Sequence, residues 1–180
     1  MKILETERLI LRTWVDADLK PMFDINQDPK VMEYFPNLQN LETTNKFITK
    51  MNNHFNTHGY SLYACVRKDN NEFIGFIGLS NVDFKTHFTP AIEIGWRLSS
   101  KHWGQGFAIE GAKAVLDYAF SELKIPEIVS FTAIGNTKSI RVMEKIGLHH
   151  KTDDDFDHPK LDDSSPLKKH VLYRLVRFDS

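Results

Sequence analysis

The sequence has almost no cysteine, no long apolar run and almost no net charge, and each absence removes a class of protein. Its 180 residues include one cysteine, Cys65, so no disulfide can form within the chain and a reducing, cytoplasmic setting is expected. No segment approaches the roughly 20 consecutive apolar residues that span a bilayer. The formal net charge of −1 gives no field that favours nucleic acid or an anionic membrane.

The length and ordinary composition predict a single domain over residues 1–180, large enough for a hydrophobic core. Apolar periodicity predicts strands at residues 7–15, 60–67, 72–82, 91–98 and 128–134, near 148, and at 170–178. It predicts helices from residue 16 to about 25, at 41–56, from 107 to just before Pro126, and at 138–145, with a single helical turn at 31–35. This order indicates a mixed sheet in an α/β or α+β domain.

Residues 91–110 read as a strand, a glycine loop and the start of a helix. The strand ends at Leu98, the loop contains Gly104 and Gly106, and the helical pattern begins at Phe107. Free backbone N–H groups at a helix start form an anion cradle, and glycines let a ligand approach closely. The alternative is that the two glycines only make a tight turn between strand and helix.

Five segments, met in this order along the chain, resemble the GNAT superfamily of acyl-CoA-dependent N-acyltransferases, and most closely its RimJ/RimL branch. They are ETERLILR from Glu5, EIGW from Glu93, WGQGFAIE from Trp103, NTKS from Asn136 and EKIGL from Glu144. The resemblance implies a mostly antiparallel sheet flanked by helices, with a splay between the strands that end near Leu98 and Ile134. It also implies acetyl-CoA as co-substrate and no metal.

The same resemblance implies which residues hold acetyl-CoA. The loop and helix start would hold the pyrophosphate, while backbone groups of Trp96 and Leu98 would pair with the pantetheine arm. Asn136 and Ser139 would approach from the other side of the splay, although Asn136 also suits a turn and Ser139 a helix cap. The loop residues concerned are Lys101, Trp103, Gly104, Gln105, Gly106, Phe107 and Ala108.

The sequence departs from the family pattern at two positions. Lys101 stands where arginine or glutamine is common; it keeps a charge but lacks the planar fork of arginine. Met143 stands where many members carry a tyrosine that protonates the departing thiolate, so another group or solvent must do so. The resemblance to the RimJ/RimL branch suggests the hydroxyl of Ser139 for that role.

Glu93 is the candidate general base, because it is a carboxylate inside an otherwise apolar strand beside the expected cofactor slot. Partial burial would raise its pKa toward a useful range. The alternative is a solvent-facing strand residue, and the acidic residues of 153–157 offer competing carboxylates. His54 and His58 have no evident third ligand, so a metal site is not expected.

The favoured function is an N-acetyltransferase that transfers acetyl directly from acetyl-CoA to a primary amine in a ternary complex. The amine is either a protein N-terminus or a small molecule. The alternative is a non-catalytic acyl-CoA-binding sensor or interaction module, which the methionine at position 143 favours slightly. The sequence leaves the choice between monomer and homodimer open.

Overall fold

In a computed structural model that describes residues 1–177, the chain forms one nine-stranded sheet with four helices. The helices are α1 Leu19–Asn26, α2 Leu41–His58, α3 Phe107–Ser121 and α4 Thr137–Lys145. The strands are β1 Lys2–Glu5, β2 Leu9–Arg12, β3 Leu62–Arg67, β4 Phe73–Asn81, β5 Ile92–Leu98, β6 Glu127–Ala133, β7 His149–His150, β8 Phe156–Asp157 and β9 Lys169–Val176.

The sheet has the order β1-β2-β3-β4-β5-β6-β9-β7, with β8 also paired to β9. Every pairing is antiparallel except that of β5 with β6, which is parallel. The predicted mixed, mostly antiparallel sheet flanked by helices is therefore confirmed.

The two faces of the sheet carry different helices. Apolar side chains of α3 and α4 pack on one face against Ile94 and Leu98 of β5. The other face packs against α1 and α2 around Trp14 and Phe76. Because side chains alternate along a strand, β5 directs Glu93 and its other odd-numbered residues toward the α1–α2 face.

The strand predicted at residues 7–15 is observed as the shorter β2, Leu9–Arg12, and it forms a hairpin with β1, which was not predicted. Thr6 turns the chain: its N–H donates to the carbonyl of Leu9, and its Oγ1 accepts the N–H of Leu9, both at 2.9 Å. β1 has four residues, and the residues at its ends, Lys2 and Glu5, are charged, so the sequence shows no apolar pattern that would predict this strand.

Residues 31–35, where a helical turn is predicted, form hydrogen-bonded turns. The N–H groups of Val31 and Met32 bond to the carbonyl of Asp28, and that of Phe35 bonds to the carbonyl of Met32; the flanking prolines at 29 and 36 limit a longer helix there. The region 153–166, predicted as a loop, contains strand β8. The last strand ends at Val176, and Phe178 lies outside the described residues. Within the described chain, no helix is long and apolar enough to cross a membrane.

Candidate active site

A split opens between β5 and β6. These strands are paired at one position, Glu93 with Val129, and Ser130 Oγ adds a hydrogen bond of 2.9 Å to the carbonyl of Ile94. Beyond that point β5 pairs only with β4 as far as Leu98, and β6 only with β9. The strands separate toward Leu98 and residue 134, as the sequence predicted, and Glu93 lies at the apex of the split.

The glycine loop lies at the mouth of the split and has the backbone of an anion cradle. Gly104 and Gly106 have φ of +75° and +83°, values that favour glycine. A Cβ at Gly104 would meet no atom within 4 Å. The N–H groups of residues 104–106 donate to no acceptor within residues 1–177, and those of Phe107 and Ala108 belong to the first turn of α3, where no intrahelical partner exists. This arrangement suits a diphosphate.

Arg8 holds the loop from behind, a role that the sequence did not reveal. Its Nη1 donates to the carbonyl of Gln105 at 2.9 Å, and its Nε donates to Glu110 at 2.6 Å. Glu110 also accepts the hydroxyl of Thr6 at 2.6 Å, so its carboxylate is structural, as its place in the helix suggests. Because the carbonyl of Gln105 points toward Arg8, the N–H groups of the loop are directed away from Arg8.

The side chains of the loop differ in what they contact. Lys101 is exposed, and Gln105 is exposed with its amide bonded to the carbonyl of Lys101 at 3.1 Å. Trp103 donates its indole N–H to the carbonyl of Leu98 at 2.9 Å. A pantetheine amide paired with that carbonyl would have to share it with the indole. Lys138 Nζ lies 4.4 Å from the centre of the Trp103 ring, so α4 and the loop meet across the mouth. Trp96 is half-buried against the α3-side core.

Asn136 is the N-cap of α4, which excludes Ser139 from the capping role. The Asn136 Oδ1 accepts the N–H of Ser139 at 3.3 Å, and its Nδ2 donates to Thr132 at 2.9 Å. Ser139 is half-buried in the first turn of α4, next to the end of β6. Met143 is 1% exposed and packs in the α3-side core.

Glu93 differs from a solvent-facing strand residue. It is half-buried on the α1–α2 face, and burial, with a smaller contribution from the nearby Asp83, raises its pKa to about 8. Asp83 is itself engaged by Lys50 and Lys160, at 3.1 and 2.6 Å. The ionised form of a carboxyl group with a pKa near 8 is a stronger base than an ordinary carboxylate, and the fraction in that form increases as the pH rises through 8.

Two of the four competing carboxylates of residues 153–157, those of Asp154 and Asp155, are engaged by other side chains. Asp154 binds Arg174 at 2.8 Å, and Arg174 also binds Glu127 at the start of β6, the end opposite the mouth of the split. Asp155 pairs with His150 at 2.7 Å. No group of three or more metal-ligating side chains occurs among residues 1–177.

A depression of about 320 Å³ lies beside the loop, on the side of Arg8. Its basic side chains are neutralised: Arg8 by Glu110, Arg67 by Asp69, and Lys68 by Glu5. It is therefore a poor anion site and is distinct from the split. Its lining residues are Glu7, Arg8, Arg67, Lys68, Asp69 and Phe107.

The segment 27–40, here the acceptor-side loop, covers the split from the α1–α2 face. Ser100 donates a hydrogen bond to Asp28, and the ring of Phe35 lies 4.1 Å from the guanidinium carbon of Arg97. A Cβ at Gly135 would lie 3.3 Å from the ring of Tyr34. The loop thus contacts both sides of the split. The sequence alone did not identify these contacts, because no recognised motif includes Arg97, Phe35 or Tyr34.

Comparisons with known proteins agree with this geometry. Residues 8–149 match the family described as acetyltransferase (GNAT) domain. YkkB, an uncharacterized protein of Bacillus subtilis, is 34% identical over 148 residues, which cover 82% of this chain and 85% of that protein. A GNAT-family acetyltransferase from Bacillus anthracis superposes with a TM-score of 0.79 at 28% identity, covering 98% of each chain.

RimL, described as a ribosomal L7/L12 α-N-protein acetyltransferase in complex with coenzyme A, superposes with a TM-score of 0.78. At 16% identity, over 98% of each chain, this likeness concerns the fold. The family match and the split with its glycine loop lead to the same conclusion. This chain belongs to the GNAT family of acetyltransferases.

Proposed function

We propose that residues 1–180 act as one catalytic domain that transfers acetyl from acetyl-CoA directly to a primary amine. The observation that carries this proposal is the carboxyl group of Glu93 at the apex of the split, where burial raises its pKa to about 8. The glycine loop at the mouth binds the pyrophosphate, and the split between β5 and β6 admits the pantetheine arm. The thioester then lies near the apex, next to Glu93.

The reaction needs two protons to leave the ammonium nitrogen and one to reach the sulfur. Glu93, directly or through water, takes the first proton, because the ammonium group has no lone pair. The amine nitrogen then attacks the thioester carbonyl, the C–N bond forms, the C–S bond breaks and the nitrogen loses its second proton. Ser139 donates a hydrogen bond to the leaving sulfur. Either the thiolate takes the proton of that hydroxyl, which the second proton of the nitrogen replaces, or solvent protonates the thiolate and takes up the second proton.

The acceptor that best suits this base is an α-amine. An α-amino group has a pKa of about 7.7–8.0, whereas a lysine side chain has one of about 10.4. A base with a pKa of about 8 therefore exchanges a proton with an α-ammonium group at almost no free-energy cost. RimL acts on a protein α-amine by its description, which supports the same class of acceptor here.

No enzyme nucleophile is needed. Cys65 is fully buried, and burial strongly raises the pKa of its thiol, so its thiolate is unavailable for an acyl-enzyme. Kinetics with both substrates varied should therefore give intersecting double-reciprocal lines. Protein incubated with acetyl-CoA alone should keep its mass.

A thiol-release assay with acetyl-CoA and a panel of α-amines tests the proposal, with mass spectrometry of the product. Acetylated amine formed in proportion to free coenzyme A is the expected result. If acetyl-CoA binds but no amine is acetylated, the chain is an acyl-CoA-binding module instead. The buried Met143, which has no proton to donate, favours that second function.

A further inference from the structure

Arg97 is a half-buried cation that the proposed chemistry does not use. It lies on β5 and faces α1 and α2, between the rings of Phe35 and Phe76, whose centres are 4.1 and 5.5 Å from its guanidinium carbon. Its Nη1 donates to Asn26 Oδ1 at 2.8 Å. Its Nε is buried and has no hydrogen-bond partner within residues 1–177.

No carboxylate within the described chain lies at ion-pair distance from Arg97. Burial lowers the pKa of its guanidinium to about 10, so it remains charged at neutral pH. A cation taken out of water without a counter-charge is unfavourable, and proteins seldom keep one without a use. Arginine donates strong, charge-assisted hydrogen bonds to carboxylates. With Nη1 held by Asn26 and Nε buried, Nη2 is the nitrogen of Arg97 left for a ligand.

The surroundings of Arg97 hold it in a defined orientation. Asn26, which accepts from Arg97, is buried and donates to Thr44 of α2 at 3.0 Å. Thr44 in turn donates to the carbonyl of Asn40 at the end of the acceptor-side loop. The guanidinium is therefore oriented by both helices of this face, as a binding group must be.

Arg97 and Glu93 share one face of β5, on either side of Gly95. Their Cα atoms, four residues apart on a strand, are separated by about 13 Å. Gly95 has no positive φ, and a Cβ there would make only ordinary contacts of 3.7 and 3.8 Å, with Leu62 and Glu93. The backbone therefore does not require glycine at position 95. Because Gly95 has no side chain, a path is left along the strand between the carboxyl group of Glu93 and the guanidinium of Arg97.

We propose that Arg97 binds a carboxylate of the acceptor, so that the substrate is an amine that also carries an acid group. The inference rests on the proposed acetyl transfer. The acceptor lies along β5 with its amine at Glu93 and its carboxylate at Arg97, beneath the acceptor-side loop. The guanidinium of Arg97 lies on the α1–α2 face, whereas the glycine loop leads into α3 on the opposite face. The partner of Arg97 is therefore not a coenzyme A phosphate.

The test measures acceptor binding on the coenzyme A-saturated protein by calorimetry, which does not depend on turnover. The probes are pairs of tripeptide amides that differ only in carboxylate and amide, with Asp against Asn, or Glu against Gln, at the second position. At least one acid should bind about 10- to 100-fold more tightly than its amide, the usual effect of a charge-assisted hydrogen bond. The preference should fall below about threefold in Arg97→Gln.

Two further variants serve as controls. Arg97→Lys keeps the charge without the fork, so it should retain part of the preference and show that the loss in Arg97→Gln is not misfolding. Lys113→Gln removes one exposed charge from α3 and should keep the full preference. The inference is overturned if no acid is preferred by the wild-type protein, if the preference survives Arg97→Gln, or if Arg97→Gln weakens coenzyme A instead of the acid.

The acetyl-transfer assay separates the two proposals. Acid-selective binding through Arg97 without any acetylated product would contradict the proposed reaction and support the carboxylate site. Acetylation with equal efficiency for acids and amides would support the reaction and overturn the carboxylate site.

Discussion

The carboxyl group of Glu93 illustrates how position changes the chemistry of one residue. An ordinary glutamate is ionised and weakly basic at neutral pH, with a pKa of about 4.3. At the apex of the split, burial raises its pKa to about 8, so the group is a mixture of both forms near neutrality. A base must be ionised to accept a proton, and the active fraction therefore increases as the pH rises through 8.

Glu93→Gln should lower kcat by about 10²- to 10⁴-fold, the usual contribution of a general base. The dissociation constant of acetyl-CoA should stay within about threefold of wild type, because the glycine loop and the split are unchanged. The α-amine titrates in the same range, at about 7.7–8.0, so kcat/KM is calculated on the concentration of neutral amine. On that basis a pH series of kcat/KM should show a rise with a midpoint near 8 in wild type. A residual activity in Glu93→Gln that keeps this midpoint, calculated in the same way, would assign the base to another group.

The same substitution has a separate effect on stability. The pKa of Glu93 is higher in the folded chain than in the unfolded one, so the folded state binds the proton more tightly. This stabilisation is complete below the unfolded pKa and is lost as the pH rises through about 8. Urea unfolding between pH 5 and 9 should therefore show a smaller loss of unfolding free energy in Glu93→Gln than in wild type.

At the scale of elements, the functional unit is β5, the glycine loop and the start of α3, with α4 opposite. The two positive φ values free the loop N–H groups, Arg8 and Glu110 hold the loop from behind, and Asn136 fixes the first turn of α4. None of these contacts belongs to the hydrophobic core. Substitutions in the glycine loop can therefore test its role in acetyl-CoA binding without disrupting the hydrophobic core.

Gly104→Ala should weaken acetyl-CoA binding by about tenfold or more, because an alanine strains the positive φ and the loop relaxes away from the cradle geometry. Gly59→Ala is the matched control. Gly59, which follows α2, has φ of +78° and an equally open Cβ position. Both variants should lose a similar stability, about 1 kcal/mol. Equal acetyl-CoA affinity in the two variants would contradict a cradle at Gly104.

At the scale of the whole molecule, the split divides the sheet into two parts joined at its apex. The two central strands, β5 and β6, are linked by the pairing of Glu93 with Val129 and by the hydrogen bond from Ser130 to the carbonyl of Ile94. Residues 27–40 and the contact of Lys138 with Trp103 connect the sides elsewhere. A ligand that lies in the split and reaches the glycine loop would contact both parts and should stabilise the whole fold.

Coenzyme A at 100 times its dissociation constant should stabilise the folded chain by about 2.7 kcal/mol. For a chain of this size that corresponds to a rise in Tm of roughly 5–10 °C in a thermal unfolding scan. At one fixed concentration, coenzyme A should raise Tm more than pyrophosphate alone or pantetheine alone. Equal shifts for coenzyme A and pyrophosphate would show that the split contributes no binding.

Much of the fold was readable from the sequence because helices and hairpins depend on short-range patterns. The amphipathic run of α2, the strands β3 to β5 and the glycine turn into α3 were all predicted within a few residues. The short strand β1 was not, because a run of four residues is too short for its periodicity to show which structure it adopts. The family motifs supplied the splay in advance, and the single pairing of Glu93 with Val129 confirms it.

The sequence by itself determined the order of most elements, the positive φ at Gly104 and Gly106, and the family, since these follow from local conformational preference and from motifs. Only the tertiary structure decided that Glu93 is half-buried at the apex and that Arg8 holds a loop 97 residues away. It also decided that Arg97 contacts Asn26 and two phenylalanines but has no carboxylate of residues 1–177 at ion-pair distance. The reason is physical. The pKa and the partner of a side chain depend on which distant segments exclude water from it, and that is known only once the chain has folded.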